Sequence, residues 1–182
     1  MSKGLVYINT AVDIVTGEVK NKKIKKKVYF DEQQGYLFFS QKNGARTFEG
    51  IDLPEDLSDG EIAKVYRLSR KIYKNSNMLA YRTGNNIRAM EIKHIAKVVN
   101  MSDRCCTIFI NKMIRKRILA KAIVEIGNVR QVQFYMNPIY FFSGKWLNAN
   151  LYLLFRRDLD QVLPSWVKDR FADDSAKGTD AQ

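Results

Sequence analysis

Between Met90 and Val132 the apolar positions fall first at helical and then at strand spacing. Ile92, Ile95, Ala96 and Val99 stand at i, i+3, i+4 and i+7, with Glu91, Lys93 and Lys97 elsewhere on the wheel, which predicts a helix with one buried face. Ala96 is small where two crossing helices need close approach, and Asn100, which tolerates a left-handed backbone, follows where the chain must turn. Ser102 then caps a second helix, in which Cys106, Phe109, Ile110 and Met113 repeat the helical period. Its opposite face carries Asp103, Arg104, Thr107, Ile108, Asn111, Lys112 and Arg115. Two β-branched, roughly alternating runs, Ile118 to Glu125 and Val129 to Met136, flank Gly127-Asn128 and predict a hairpin.

The flanking patterns are shorter. Leu5-Val6-Tyr7-Ile8, Val28-Tyr29-Phe30 and Tyr36-Leu37-Phe38-Phe39 alternate with Thr16-Gly17, Gln34-Gly35 and Asn43-Gly44, predicting a small sheet of β-hairpins. Leu53-Pro54 marks a boundary, after which Ser58 and Glu61 form a capping box that opens a helix to about Lys74. Its apolar stripe reads Ile62, Val65, Tyr66, Ser69, Ile72 and Tyr73. Met78 to Tyr81, a Gly84-Asn85 turn and Ile87 predict a short strand able to pair with the later hairpin. Beyond Asn137-Pro138, Asn148 caps a helix with Leu151, Leu154, Phe155 and Leu159 on one side, and Ser165 to Phe171 adds a further turn. These C-terminal residues either cover the preceding domain or meet a second copy of the chain. The expected organisation is residues 1–53 as a β-rich segment, 54–144 as the central domain, 145–171 as a helical extension and 172–182 as a disordered tail.

Helix, strand, helix, tight turn, helix and hairpin in that order define an α+β fold with a winged helix-turn-helix at its centre. A capped second helix whose outer face offers Arg, Thr, Asn and Lys has the chemistry to read base edges, since Arg grips guanine and Asn adenine in bidentate fashion. Asp103, Arg104, Thr107, Ile108, Asn111 and Lys112 are therefore the expected base contacts. Ser102, Arg115, Lys116, Lys121 and Arg130, at the helix ends and on the wing, are the expected phosphate contacts. The plainer alternative is a small α+β module that uses the helix pair only as core.

Charge favours the first reading. The chain has 182 residues, a formal net charge of +12 and a pI near 9.7, with lysine and arginine concentrated in the first 30 residues and from Lys64 to Arg130. Such a balance attracts polyanions, nucleic acid first among them. The stretch KNKKIKKK from Lys20 to Lys27 holds six lysines among eight residues and is either a solvated hairpin flank or a phosphate-contacting arm. No run of about 18 apolar residues and no leader-like N-terminus is present, so no membrane is expected and the location expected is the bacterial cytoplasm. The two cysteines, Cys105 and Cys106, are adjacent and make no disulfide framework, and with the single His94 they offer too few ligands for a metal.

Catalytic constellations are missing too. One histidine cannot supply the histidine pair of a metal-dependent nicking initiator. No phosphate-cradling G-x-x-x-x-G-K-[ST] exists, and no G-x-S-x-G accompanies His94. The expectation is a non-enzyme without cofactors.

The stretch IAKVVNMSDRCCTIFINKMIRKRIL is similar to the MarR-like winged-helix pattern of an Ile-Ala pair, a turn, a Ser cap and an apolar residue after the recognition helix. Its continuation, FYMNPIYFFSGKWLNANLYLLFRRDL, resembles plasmid replication proteins of the RepL type and related phage proteins. Together the two stretches cover residues 90–160. Asn100 and Arg117 stand where the pattern favours glycine, and Cys105 where Thr or Ser is frequent. The resemblance implies a replication initiator that binds double-stranded DNA, marks an origin and recruits host replication proteins. Residues alone leave two alternatives: a transcriptional regulator acting at promoters, and a protein-interaction module that docks a host polymerase through an apolar surface around Phe141, Phe142 and Trp146. Paired sites on a two-fold axis would call for a homodimer through the C-terminal helix.

Overall fold

The computed structural model describes residues 4–12, 19–28, 30–31, 35–37, 45–47, 50–126 and 129–177. Five strands come first: β1 (Gly4–Val12), β2 (Val19–Val28), β3 (Phe30–Asp31), β4 (Gly35–Leu37) and β5 (Ala45–Arg46). Helix α1 (Asp59–Ser69) leads to β6 (Ala80–Thr83) and β7 (Asn86–Ala89). Then follow α2 (Ile92–Val99), α3 (Asp103–Arg115), β8 (Leu119–Ile126) and β9 (Val129–Met136). The chain continues through β10 (Phe142–Ser143), β11 (Trp146–Leu147), α4 (Ala149–Leu154), α5 (Arg156–Val162) and α6 (Ser165–Lys177). Helices and small antiparallel sheets make this an α+β fold, and no helix among the described residues is long and apolar enough to cross a membrane.

Hairpin β8–β9 is the divider of the core. Its register sets Leu119 opposite Met136 and Ala120 opposite Tyr135, and strand side chains alternate between faces. Leu119, Phe134 and Met136 therefore enter one apolar cluster with Val65 and Leu68 of α1, Ile95 and Val99 of α2, and Phe109, Ile110 and Met113 of α3. Ala120 and Tyr135 face a second cluster, built from Leu151, Tyr152, Phe155, Leu159, Val167 and Phe171 of the C-terminal helices. Tyr152 and Phe171 stack there at 4.3 Å, which joins α4 to α6. The C-terminal residues thus cover the hairpin of their own chain.

Four elements differ from expectation. Helix α1 opens with the Ser58–Glu61 capping box but ends at Ser69, because Ile72 forms a bridge with Leu79 instead of continuing the helix. Its buried face is Val65, Leu68 and Ser69, while Tyr66 is 60% exposed, so the stripe lies rotated from Ile62 and Tyr66. The single short strand before α2 is a hairpin, β6–β7; the preceding Met78 bridges Tyr135 of β9, and the Leu79 N–H donates to the Phe134 carbonyl at 2.8 Å. The C-terminal helix is two short helices that meet at Phe155, where φ −125° and ψ 22° interrupt the helical path, and α6 runs to Lys177 where disorder was expected from Ala172.

The N-terminal strands do not form one sheet. β1 pairs with β2 in a hairpin that sets Ile8 opposite Ile24 of the lysine-rich stretch. β4 pairs with β3 and with β11, and β5 pairs with β10, so short strands before residue 53 knit onto the segment beyond residue 140. The expected turns at Thr16-Gly17, Asn43-Gly44 and Gly127-Asn128 fall outside the described residues, as do Tyr29, Phe38, Phe39 and residues 178–182.

Candidate nucleic-acid interface

The seat of α3 is set at both ends. Asn100 takes left-handed angles (φ 56°, ψ 58°), and both its N–H and that of Met101 donate to the Ala96 carbonyl, ending α2 and reversing the chain. Two residues later the Ser102 hydroxyl oxygen accepts the Cys105 N–H at 3.4 Å, satisfying a donor that the first turn of α3 leaves open. Asp103 stands in that first turn, where its negative charge suits the helix dipole. The inner face then buries Cys106, Phe109, Ile110 and Met113. The Cys106 thiol donates to the Ile92 carbonyl at 3.8 Å, and burial pushes it up to about 11, so it stays protonated and inert at neutral pH.

With that face buried, the opposite one must point outward. Arg104, Ile108, Asn111 and Arg115, at i, i+4, i+7 and i+11, make an exposed ridge with Thr107 beside it. The Thr107 hydroxyl donates to the Asp103 carbonyl at 2.9 Å, which leaves its oxygen lone pairs open. Arg104 and Arg115 hold no ion pair among the described residues.

Between α3, the N-terminus of α2 and the hairpin runs an open groove of about 840 Å³. Ile92, Ile110, Val132 and Phe134 supply its apolar lining, and Thr107, Asn111, Lys121 and Arg130 its polar lining. The hairpin register explains the second set. Lys121 lies opposite Phe134, Ile123 opposite Val132 and Glu125 opposite Arg130, so all six share one face. Arg130 pairs with Glu125 at 2.7 Å with both side chains in solvent, an exchangeable contact, while Lys121 has no ion pair among the described residues.

Two expected contact residues are turned elsewhere. The Lys112 ammonium sits between the two carboxylate oxygens of Glu61 at 2.6 and 2.8 Å, fastening α3 to the capping box of α1. That ion pair, with the Ser58 N–H, holds the Glu61 carboxyl below its usual range. Lys116 pairs with Asp56 and lowers that carboxyl likewise. At the exit of α3, Arg117 adopts φ 58°, the left-handed conformation for which glycine was expected. Its guanidinium binds both oxygens of Asp158.

Two charged residues on the groove were missed. Glu91 and Lys93 line it from the first turn of α2, paired at 2.9 Å so that Lys93 is raised and Glu91 lowered. In the sequence nothing separates them from ordinary solvated charges; only the fold aims them at the groove. His94 closes the same helix end, its Nδ1 accepting the Glu91 N–H at 3.2 Å and its ring lying 4.4 Å from that of Tyr81.

Compared with known proteins, the chain matches no family model, no curated protein and no solved structure. Fold and site together define a basic α+β protein that presents a polar helix ridge beside a cationic hairpin face.

Proposed function

We propose that this protein binds double-stranded DNA sequence-specifically as a winged helix-turn-helix, with α2 and α3 as the helix pair and β8–β9 as the wing. In this reading it is a non-enzymatic replication initiator of a plasmid or phage, which marks the origin and recruits host proteins. The observation that carries DNA binding is the ridge on α3: exposed Arg104, Thr107, Ile108, Asn111 and Arg115, with neither arginine in an ion pair among the described residues, next to Lys121 and Arg130 across the groove. A solvated face would need none of this coincidence, whereas a helix entering the major groove needs all of it.

Roles follow from chemistry. Arg104 suits guanine, Asn111 adenine, and Asp103 can accept from the cytosine amino group. The Thr107 hydroxyl oxygen, whose proton goes to the Asp103 carbonyl, can accept from a base amino group. Ser102, Arg115, Lys121 and Arg130 serve phosphate oxygens, which position the protein without reading sequence. Lys112 and Lys116 leave the contact set, because docking them would first break their pairs with Glu61 and Asp56. The initiator role rests on the resemblance in residues 134–159, whose Asn137, Tyr152 and Asp158 lie in the packed C-terminal half.

The test is fluorescence anisotropy with DNA from around the protein's own gene and with a scrambled duplex, over a salt series, followed by footprinting. Tighter binding to native DNA that persists at moderate salt supports the proposal, and protection over repeated origin sequences supports the initiator role. Protection confined to a promoter would make the protein a regulator instead. Equal, salt-sensitive affinity for both duplexes would leave only the electrostatic attraction of a +12 chain and overturn the reading.

A further inference from the structure

We infer that Ile108 reads a thymine through its C5 methyl group, so that the target site contains a T where the centre of α3 meets the major groove. The inference rests on the DNA-binding proposal and deepens it. Ile108 is 61% exposed, among the most exposed large apolar side chains of the described residues, and it stands mid-ridge, not at a helix end. Its neighbours on the ridge are Arg104, Thr107, Asn111 and Arg115.

That setting selects the occupant. An apolar protein surface seated on Ile108 would strip water from two arginines and an asparagine and return no partners to them. A major-groove edge offers one apolar group, the thymine methyl, among hydrogen-bond donors and acceptors that suit these neighbours. Asn111, one turn further along the same ridge, can hold an adenine in bidentate fashion. The ridge therefore matches a short mixed step in which a methyl and an adenine or guanine edge lie side by side.

Replacing thymine by deoxyuridine removes the methyl and leaves the pairing edge unchanged. Binding is measured by anisotropy to the tightest duplex selected from a random pool, with each T changed singly to U. Wild-type protein is expected to lose about fourfold in affinity at one T, the value of one buried methyl-sized group. Ile108→Ala, on an exposed position of a helix that tolerates alanine, is expected to bind more weakly and to be indifferent to the same change. Sequence-specific binding with no U-sensitive position, or an equal loss in wild type and Ile108→Ala, would overturn the inference and leave DNA recognition standing. Failure to select any preferred duplex would overturn the DNA-binding proposal and this inference together.

Discussion

The guanidinium of Arg117 grips the Asp158 carboxylate through two of its nitrogens, at 2.8 to 3.0 Å, across 41 residues of sequence. Asn137 completes the junction: its amide donates both to the Arg117 carbonyl at 2.7 Å and to Asp158 at 2.9 Å. Its own N–H donates to the Ile118 carbonyl at 2.9 Å. The exit of α3, the end of β9 and helix α5 are thereby held at one point, and the angle between α3 and the hairpin depends on it. The pair also steadies Arg117 in a left-handed conformation that costs a non-glycine residue about 1 kcal/mol.

Arg117→Gly and Arg117→Ala both lose the ion pair, but only glycine relieves the backbone. Urea unfolding should show alanine less stable than glycine by about 1 kcal/mol. Asp158→Ala should cost about 1–3 kcal/mol, because the Asn137 amide and the Arg117 guanidinium both lose an acceptor. Equal stability of the two Arg117 variants would mean that the backbone is not under strain.

Neighbouring residues on α3 should separate by role. Asn111→Ala should lose about 1–3 kcal/mol of binding and relax the preference at one base pair. Lys112→Ala should leave base preference unchanged and instead lower stability by up to about 1 kcal/mol through the loss of Glu61. The Glu61 carboxyl is depressed in the folded state, so its contribution is present above the usual carboxylate range and is lost as pH falls through the depressed value. Lys112→Ala should therefore flatten the acid limb of the stability profile. A changed base preference in that variant would return Lys112 to the contact set.

On the β8–β9 hairpin the expected signature is electrostatic. Lys121→Ala and Arg130→Ala should each weaken native and scrambled duplexes alike and reduce the slope of log K against log salt by about one unit. Arg130 first releases Glu125, so Glu125→Gln should strengthen binding to every duplex. A loss confined to one sequence would show that the hairpin reads bases.

The adjacent cysteines should behave oppositely. Cys105 is exposed and Cys106 is fully buried, so a thiol reagent should modify one group in the native protein and two after unfolding. Burial raises the Cys106 thiol from 9.0 to about 11. Its stabilising effect is thus complete below pH 9 and lost as pH rises toward 11, by about 2–3 kcal/mol. Comparing Cys106→Ala with wild type from pH 8 to 10, below the alkaline range of Tyr152, which is pushed up to about 12, isolates this slope. Parallel profiles would contradict it.

What the sequence by itself determined is local. The buried stripes of α2 and α3, the left-handed turn at Asn100, the Ser102 and Asn148 caps, the Ser58–Glu61 capping box and the alternation of β8 and β9 all follow from residues within about one or two turns of each other. The outward ridge of α3 followed too, since a helix with one apolar face must expose the other. Tertiary structure decided what joins residues far apart. Lys112 meets Glu61 and Arg117 meets Asp158 only because the fold brings α3 and its exit beside the start of α1 and beside α5, and no spacing in the sequence encodes either pair. Strands as short as β4 and β5 carry too few residues to specify a partner, so their pairing with β11 and β10 depends on where the segment beyond residue 140 packs. The rotated face of α1 has the same cause. Its Tyr66 and Leu68 are both apolar enough to be buried, and contact with α2 selects Leu68.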